Sequence, residues 1–384
     1  MRIAILGGGP AGCAAALALQ QCRHGSIQVF EAGSHVRPRI GESLSPDAAP
    51  LLQRLGLFED FLRQGHAPCW ESPRLGHLDY LTSPHGPGWH LDRQGFERWL
   101  ANEVRVRGIE LQLGHRLNSV RHTKVGFELS LQGPSGAIVE TCDQVIDAGG
   151  LAAPLARRLG IRRALNDELV CLHARLPAAE LPAQSLVEAC AYGWWYAARL
   201  PVCASGAARP GSERGEEALL MLATDLPVLH ALRLNQPARW LQALRATREI
   251  GPRLALSEDR TDIALQPSLA ASARLVEFAG NGWWALGDAA FSTDPISAYG
   301  LTRALQQALL LADVFSGPQP KTAYVRAMEA SFREHSDLQS ALYARQSRWP
   351  RSAFWQARRQ RPGDAIATRS TAGPGRAASA VLAS

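Results

Sequence analysis

The first thirty-one residues constrain the fold more than any other stretch of this chain. RIAIL (2–6) is an apolar run with the length of a buried strand, and GGGPAG (7–12) follows it directly. CAAALALQQ (13–21) reads as a helix of small residues, and SIQVFEAG (26–33) as a second strand that carries Glu31. Gly7, Gly9 and Gly12 have the G-x-G-x-x-G spacing, with Pro10 and Ala11 between the last two and an acid about 20 residues on. Each glycine has its own reason to be there. Gly7 permits the tight turn, Gly9 lets the backbone approach a pyrophosphate, and Gly12 lets helix and sheet pack closely. Glu31 is placed to accept hydrogen bonds from a ribose. Strand, turn, helix, strand and acid in this order predict a dinucleotide site in a Rossmann-type α/β domain.

The rest of the chain bounds what else is present. At 384 residues, with 46% hydrophobic and 20% charged residues, it is long enough for a sizeable core and more than one domain. No apolar run approaches the ~20 residues of a membrane span. The start has the Arg2 and small residues of a signal peptide, but Gly7, Gly8, Gly9 and Pro10 interrupt its apolar stretch, so an unprocessed cytoplasmic chain without a membrane partner is expected. Seven scattered cysteines without CxxC spacing argue against a disulfide framework and a zinc site. His77, His85 and His90 lack partners at metal-ligand spacing, so no metal is expected. Ser43 and Ser297 lack the G-x-S-x-G setting of a nucleophile.

Charge is unevenly placed. Residues 345–384 hold eight Arg against the single acid Asp364, which exceeds the net +6 of the whole chain. The segment with Arg345, Arg348, Arg351, Arg358, Arg359 and Arg361 is therefore read as a solvated basic face leading into a disordered tail (362–384). No nucleic-acid-binding signature accompanies it.

Two later segments choose between dinucleotides. TCDQVIDAGGLAAPLARRLG (141–160) is a strand reaching Asp147, a glycine turn and an Arg-rich helix. WWALGDAAFSTDPISAYGL (283–301) pairs Gly287-Asp288 with a Pro-stiffened loop, and LTRALQQALLLADVF (301–315) continues it as a helix. A helix start favours electron-rich groups. One early fingerprint with one late Gly-Asp is the pattern of FAD proteins, and FAD is the expected cofactor.

With these residues in view, the chain resembles the FAD-dependent monooxygenases of the tryptophan-halogenase-like branch. The resemblance runs to about residue 361 and rests on GGGPAG (7–12), RIGESLSP (39–46), GWHLDRQGFERWL (88–100), VIDAGGLAAPLARRLG (145–160), GWWYAARLP (193–201), GDAAFSTDPISAYGL (287–301) and RWPRSAFW (348–355). It implies that Asp288 bonds the ribityl chain and that Arg93 lies near the ribityl–pyrophosphate region. It implies also that Gly41, Glu42 and Ser43 form a loop beside the flavin. Residues 294–301, with Pro295, Gly300 and Leu301, then clamp the flavin ring.

Within that branch the lysines discriminate. The halogenases deliver halogen from a buried lysine between the GES loop and the LDR helix, here 44–92, and this stretch has none. The chain has two lysines in all, Lys124 and Lys321. The halogenase Trp-x-Trp-x-Ile-Pro pattern is also altered, to Trp194-Trp195-Tyr196 with Pro201. GWWYAARLP, LVEACAYGWWY and RWPRSAFW look instead like the maturation flavoproteins of cysteine tryptophylquinone enzymes, of the lysine- or glycine-oxidase type.

The resemblance thus implies hydroxylation of an aromatic substrate, a tryptophan or indole, through a flavin C4a-hydroperoxide. The substrate is a free aromatic molecule or a tryptophan of a partner protein. The electron source is NAD(P)H or a partner flavin reductase. A halogenase and a non-catalytic flavin-binding assembly protein are the alternatives. Trp194, Trp195, Tyr196 and Tyr299 are the substrate-side candidates, and Glu42 and Asp294 the candidates for a general base. The expected architecture is an FAD domain from 1–72, 95–165 and 264–315. Residues 73–94 and 166–263 form a mainly β substrate domain, with C-terminal helices over 316–361.

Overall fold

The computed structural model describes residues 1–33, 40–69, 83–178, 180–201, 217–254, 256–257, 260–261 and 263–359. Five parallel strands build its first sheet, in the order Trp283–Ala285, Gln144–Asp147, Arg2–Leu6, Ser26–Glu31, Glu110–Leu113. Ala279–Gly280 adds an antiparallel edge. Ile3 to Leu6 and Val145–Ile146 are buried without alternation, because both faces of the parallel sheet are covered. One is covered by helices and the other by the three-stranded antiparallel sheet Arg116–Thr123, Gly126–Gly133, Gly136–Cys142, whose Phe127, Leu129 and Leu131 join the same core. The helices Pro10–Gln21, Arg93–Val106 and Gly300–Val314 supply the helical layer, with Pro10–Gln21 packed against both others.

A second, antiparallel sheet has the order Leu186–Cys190, Gly193–Arg199, Glu217–Asp225, Leu169–Pro177, Gln266–Leu269. Its alternation is legible in GWWYAAR: Trp195 and Ala197 enter one core with Trp240, while Trp194 and Tyr196 face another with Tyr343, Phe354 and Trp355. The helices Pro320–Ala344 and Ala353–Arg359 close that second face.

Three expectations are corrected. Gln266–Leu269 pairs with the strand Leu169–Pro177, so the second sheet draws a strand from beyond residue 263. Gly88–His90 does not join that sheet; it pairs with Ser43–Leu44 and Ala67–Cys69. Arg358 is not part of a solvated face. It is buried, bridges both carboxylate oxygens of Asp225 at 2.8 and 2.7 Å, and lies over the Phe354 ring. Trp355 anchors the same helix by donating its indole N–H to the Cys190 carbonyl at 2.8 Å. The helix is tied to the second sheet by a paired charge, which a basic-tail reading of the sequence does not reveal. The tail at 362–384, and His77, lie outside the described residues.

Candidate active site

The carboxyl ends of the parallel strands open on a cleft of about 810 Å³ whose far wall is the second sheet. This is where ligands sit in open α/β folds. At its near end the backbone is forced to be glycine. Gly7 has φ +117°, and a Cβ there would stand 2.3 Å from the Ala148 carbonyl oxygen. A Cβ on Gly12 would stand 1.8 Å from the Gly7 carbonyl oxygen, so Gly12 serves packing and does not itself line the cleft. Gly7, Gly9, Pro10 and Ala11 do line it, where the helix Pro10–Gln21 begins.

Glu31 stands at the end of its strand, on the cleft wall. Its carboxylate accepts from the Gly8 and Gly33 amides, each at 2.7 Å. Asp147, two strands away across Arg2–Leu6, accepts from the Gly149, Leu155 and Ala156 amides at 3.1, 2.9 and 2.9 Å. Burial outweighs those amides and pushes its pKa up to about 6. Its work is to hold the turn that lines the cleft after this strand.

The loop from Gly287 to Gly300 forms the other end. Asp288 lines the cleft and accepts from Arg303 at 2.8 Å. Arg303 is fully buried, donates also to Thr293 Oγ1, and sits 4.9 Å from the Phe291 ring centre. Gln307, one turn on, accepts the Gly287 amide at 2.6 Å. Sequence reasoning missed both residues. The signal was there in LTRALQQ, where Thr302, Arg303 and Gln307 place polar groups on a buried helix face. Arg163 completes the support by donating to the Asp288 and Ala289 carbonyls at 3.0 and 2.6 Å.

Asp294 lines the cleft and is buried. It accepts from the Ile296 amide at 2.9 Å, Gln339 at 3.1 Å and the Tyr343 hydroxyl at 2.6 Å. Burial raises its pKa to about 6, and nearby Asp167 pushes the same way against Arg358. Pro295 opens the turn that follows, Ala298 takes a left-handed φ of +50°, and Tyr299 precedes the helix Gly300–Val314. Pro295, Tyr299, Gly300 and Leu301 all line the cleft. A Cβ on Gly300 would meet no protein atom within 4 Å.

The GES loop closes the middle. Glu42 is buried, accepts from the Gly41 amide at 2.8 Å and Arg175 at 3.3 Å, and has a pKa raised by burial against those partners. Arg93 opens the helix Arg93–Val106, pairs with Glu97 at 2.7 Å, and donates to the Ile40 and Gly41 carbonyls at 3.3 and 3.0 Å. Ser43 shares a 2.7 Å hydrogen bond with Tyr196. Glu42, Ser43, Arg93 and Tyr196 line one cleft with Glu31 and Asp288.

Trp194 and Trp195 are not brought to this wall. Trp195 is buried edge-on against Trp240, and Trp194 is buried with its indole N–H donated to Tyr343 at 2.9 Å. The second sheet instead presents Cys171, His173, Leu219 and Met221 beside Tyr196. Among the described residues no group of three potential metal ligands occurs, and no helix is long and apolar enough to cross a membrane.

A glycine turn at a helix start, a strand-end carboxylate, a second acid in a distant loop and a second helix start thus share one elongated cleft, which fits a dinucleotide. Residues 2–74 match the tryptophan halogenase family model. LodB of Marinomonas mediterranea, named as an FAD-dependent oxidoreductase, is 28% identical over 92% of this chain and 95% of its own. The flavin-dependent halogenase CmlS superposes with a TM-score of 0.80 at 23% identity, over 94% of this chain and 68% of its own. The peptidyl tryptophan dihydroxylase QhpG, essential for tryptophylquinone cofactor biogenesis, superposes with a TM-score of 0.73 at 24% identity, over 93% of this chain and 78% of its own. The fold is that of the FAD-dependent halogenases and monooxygenases, and the chain is an FAD-dependent oxidoreductase.

Proposed function

We propose that this protein is a monooxygenase that hydroxylates an electron-rich aromatic side chain, a tryptophan of a partner protein destined to become a quinone cofactor. One observation carries the choice between oxygenation and halogenation. The cleft is lined by no lysine among the described residues, and the two lysines of the chain stand elsewhere, Lys124 between the strands Arg116–Thr123 and Gly126–Gly133, and Lys321 in the first turn of Pro320–Ala344. Without a buried ammonium at the cleft, nothing of that kind is there to carry halogen to the substrate. The likeness to QhpG supports the peptidyl tryptophan as substrate.

When bound, FAD reduced by NAD(P)H or a partner reductase would supply activated oxygen. The residues supply its place. Gly7, Gly9, Pro10 and Ala11 would hold the pyrophosphate and Glu31 the ribose. Asp288 would bond the ribityl chain, oriented by buried Arg303. Arg93 would fix the GES loop against it through the Ile40 and Gly41 carbonyls. Pro295, Gly300 and Leu301 would pack on the ring, and the amides opening Gly300–Val314 would favour the negative charge of its reduced form. Tyr196, Tyr299, Leu219 and Met221 would keep water from the reacting atoms.

The test supplies the protein with FAD, a reductant, oxygen and bromide, together with tryptophan-containing peptides and the native partner, and weighs the products. A peptide heavier by oxygen is the expected result. A bromide-dependent brominated product would overturn the reading in favour of a halogenase. Bound flavin with no oxidised product, even from the native partner, would point to an assembly protein.

A further inference from the structure

A chain of hydroxyl groups leaves the cleft and ends on a buried imidazole. Ser43 Oγ lies 2.7 Å from the Tyr196 hydroxyl, which lies 3.2 Å from Ser185 Oγ, which lies 2.8 Å from His90 Nε2. Ser43 and Tyr196 line the cleft. Ser185 and His90 are buried, at 7% and 2% exposure, and touch no cleft surface. Three separate parts of the chain meet here: the GES loop, the strand Gly88–His90 that pairs with it, and the hairpin Leu186–Arg199 of the second sheet.

The far end sets the direction of every link. His90 has a hydrogen bond with the Arg199 backbone that favours its protonated form, so the backbone group is the carbonyl and the ring nitrogen donates. Ser185 occupies Nε2, which leaves Nδ1 as that donor. A neutral imidazole with its proton on Nδ1 has a bare lone pair on Nε2. Ser185 must then donate to His90, Tyr196 to Ser185, and Ser43 to Tyr196. In that tautomer all three hydroxyl protons point away from the cleft, and the Ser43 oxygen keeps lone pairs free.

We propose that Ser43, Tyr196, Ser185 and His90 form a proton relay that takes a proton released in the cleft and parks it on His90. The inference rests on the hydroxylase reading. When oxygen bonds to an aromatic ring carbon, that carbon must lose its hydrogen to restore aromaticity. The C–H bond breaks, its electron pair stays in the ring, and the proton passes to Ser43 Oγ. Ser43 hands its own proton to Tyr196, Tyr196 to Ser185, and Ser185 to His90 Nε2. One proton moves and no electron does. Burial lowers the His90 pKa to about 4, so the ring is neutral and ready near pH 7 and returns the proton after product leaves. Burial likewise pushes the Tyr196 phenol up to about 12, so it passes protons without resting as phenolate. The relay residues act through Ser43. Of the four, Tyr196 and Ser43 alone reach the cleft.

The first measurement needs no flavin. Long-range proton–nitrogen spectra of the ¹⁵N-histidine-labelled protein should show His90 neutral at pH 7 with its proton on Nδ1. A proton on Nε2 would reverse every link and overturn the relay, whatever the enzyme's reaction proves to be. The second cuts the chain away from the cleft. Ser185→Ala should lower kcat about tenfold with KM and flavin content unchanged, Ser185→Thr should restore most of it, and the solvent isotope effect on kcat should lose its multi-proton curvature in the alanine variant. Equal kcat in wild type and Ser185→Ala, or a loss matched in flavin content that threonine does not rescue, would sink the relay while leaving hydroxylation standing. If no substrate gains oxygen in any variant while the histidine spectra are as expected, it is the hydroxylase reading that fails, and the relay with it as a catalytic device.

Discussion

The two ends of the cleft are built by opposite means. At the Gly7–Gly12 turn the backbone is the main constraint: two Cβ positions are closed by carbonyl oxygens, and a single carboxylate, that of Glu31, holds the Gly8 amide. At the Gly287–Gly300 loop the backbone opens on space at Gly300, and shape comes from buried side chains on helices outside the loop. Arg303 holds Asp288 and Thr293, Gln307 the Gly287 amide, and Gln339 and Tyr343 together one oxygen of Asp294. A turn fixed by sterics tolerates no change at one atom but depends on few partners. A loop fixed by polar contacts depends on many partners, each worth a modest amount.

The largest break is expected at the first end. Gly12→Val drives a side chain into the Gly7 carbonyl and should cost at least about 3 kcal/mol, with flavin uptake abolished. Absorbance of the purified protein and a denaturant melt check it, and a variant that still loads flavin would show that the turn yields. Next is Arg303→Gln. It removes the contacts to Asp288, Thr293 and the Phe291 ring and leaves a gap in a buried helix face. Because Asp288 is about half exposed, solvent screens part of that pair, and a loss of about 2 kcal/mol with weakened flavin binding is expected. Full flavin affinity in this variant would mean that the loop holds its shape without the helix.

Asp294 gives the comparison a pH dependence. Its folded pKa of about 6 lies above the ordinary carboxylate value, so between about pH 4 and 6 the folded chain binds more protons than the unfolded one. Stability therefore falls as pH rises through that window, and Asp147, raised likewise by burial, adds the same slope at the other end. Asp294→Asn should flatten the slope and gain about 1–2 kcal/mol at pH 7. Denaturant titrations at pH 4, 5, 6 and 7 measure it, and an unchanged slope would assign the dependence to Asp147. The smallest effect is expected from Gly300→Ala. The stability of the flavin-free protein should stay within about 0.5 kcal/mol, since the added methyl meets no protein atom. Flavin affinity should fall, because the methyl stands where the ring would approach. Unchanged affinity would move the ring away from Gly300.

What the sequence determined by itself is local. The opening strand–turn–helix–strand unit, with its dinucleotide turn, and the alternation of GWWYAAR follow from periodicities of 2 and 3.6 and from glycine's freedom at φ > 0, each contained within a few residues. Gly7 and Glu31 are legible for that reason, Asp288 and the Pro295 turn through the resemblance their segment carries, and all come to one cleft. What only the tertiary structure decided is which groups meet. Alternation put Trp194 and Trp195 on opposite faces, but which face has a core against it was settled by Trp240 and Tyr343, and Tyr196 reached the cleft instead. Asp294 and Tyr343 are 49 residues apart, Trp194 and Tyr343 149, and Ser43 and Tyr196 153. Arg358 looked solvated in an Arg-rich run and is buried because Asp225, 133 residues earlier, ends a strand beneath it. Gln266–Leu269 joined the second sheet through Leu169–Pro177, nearly a hundred residues before it. A side chain's charge state and partner depend on what packs against it, and a period along the chain carries no information about distant neighbours.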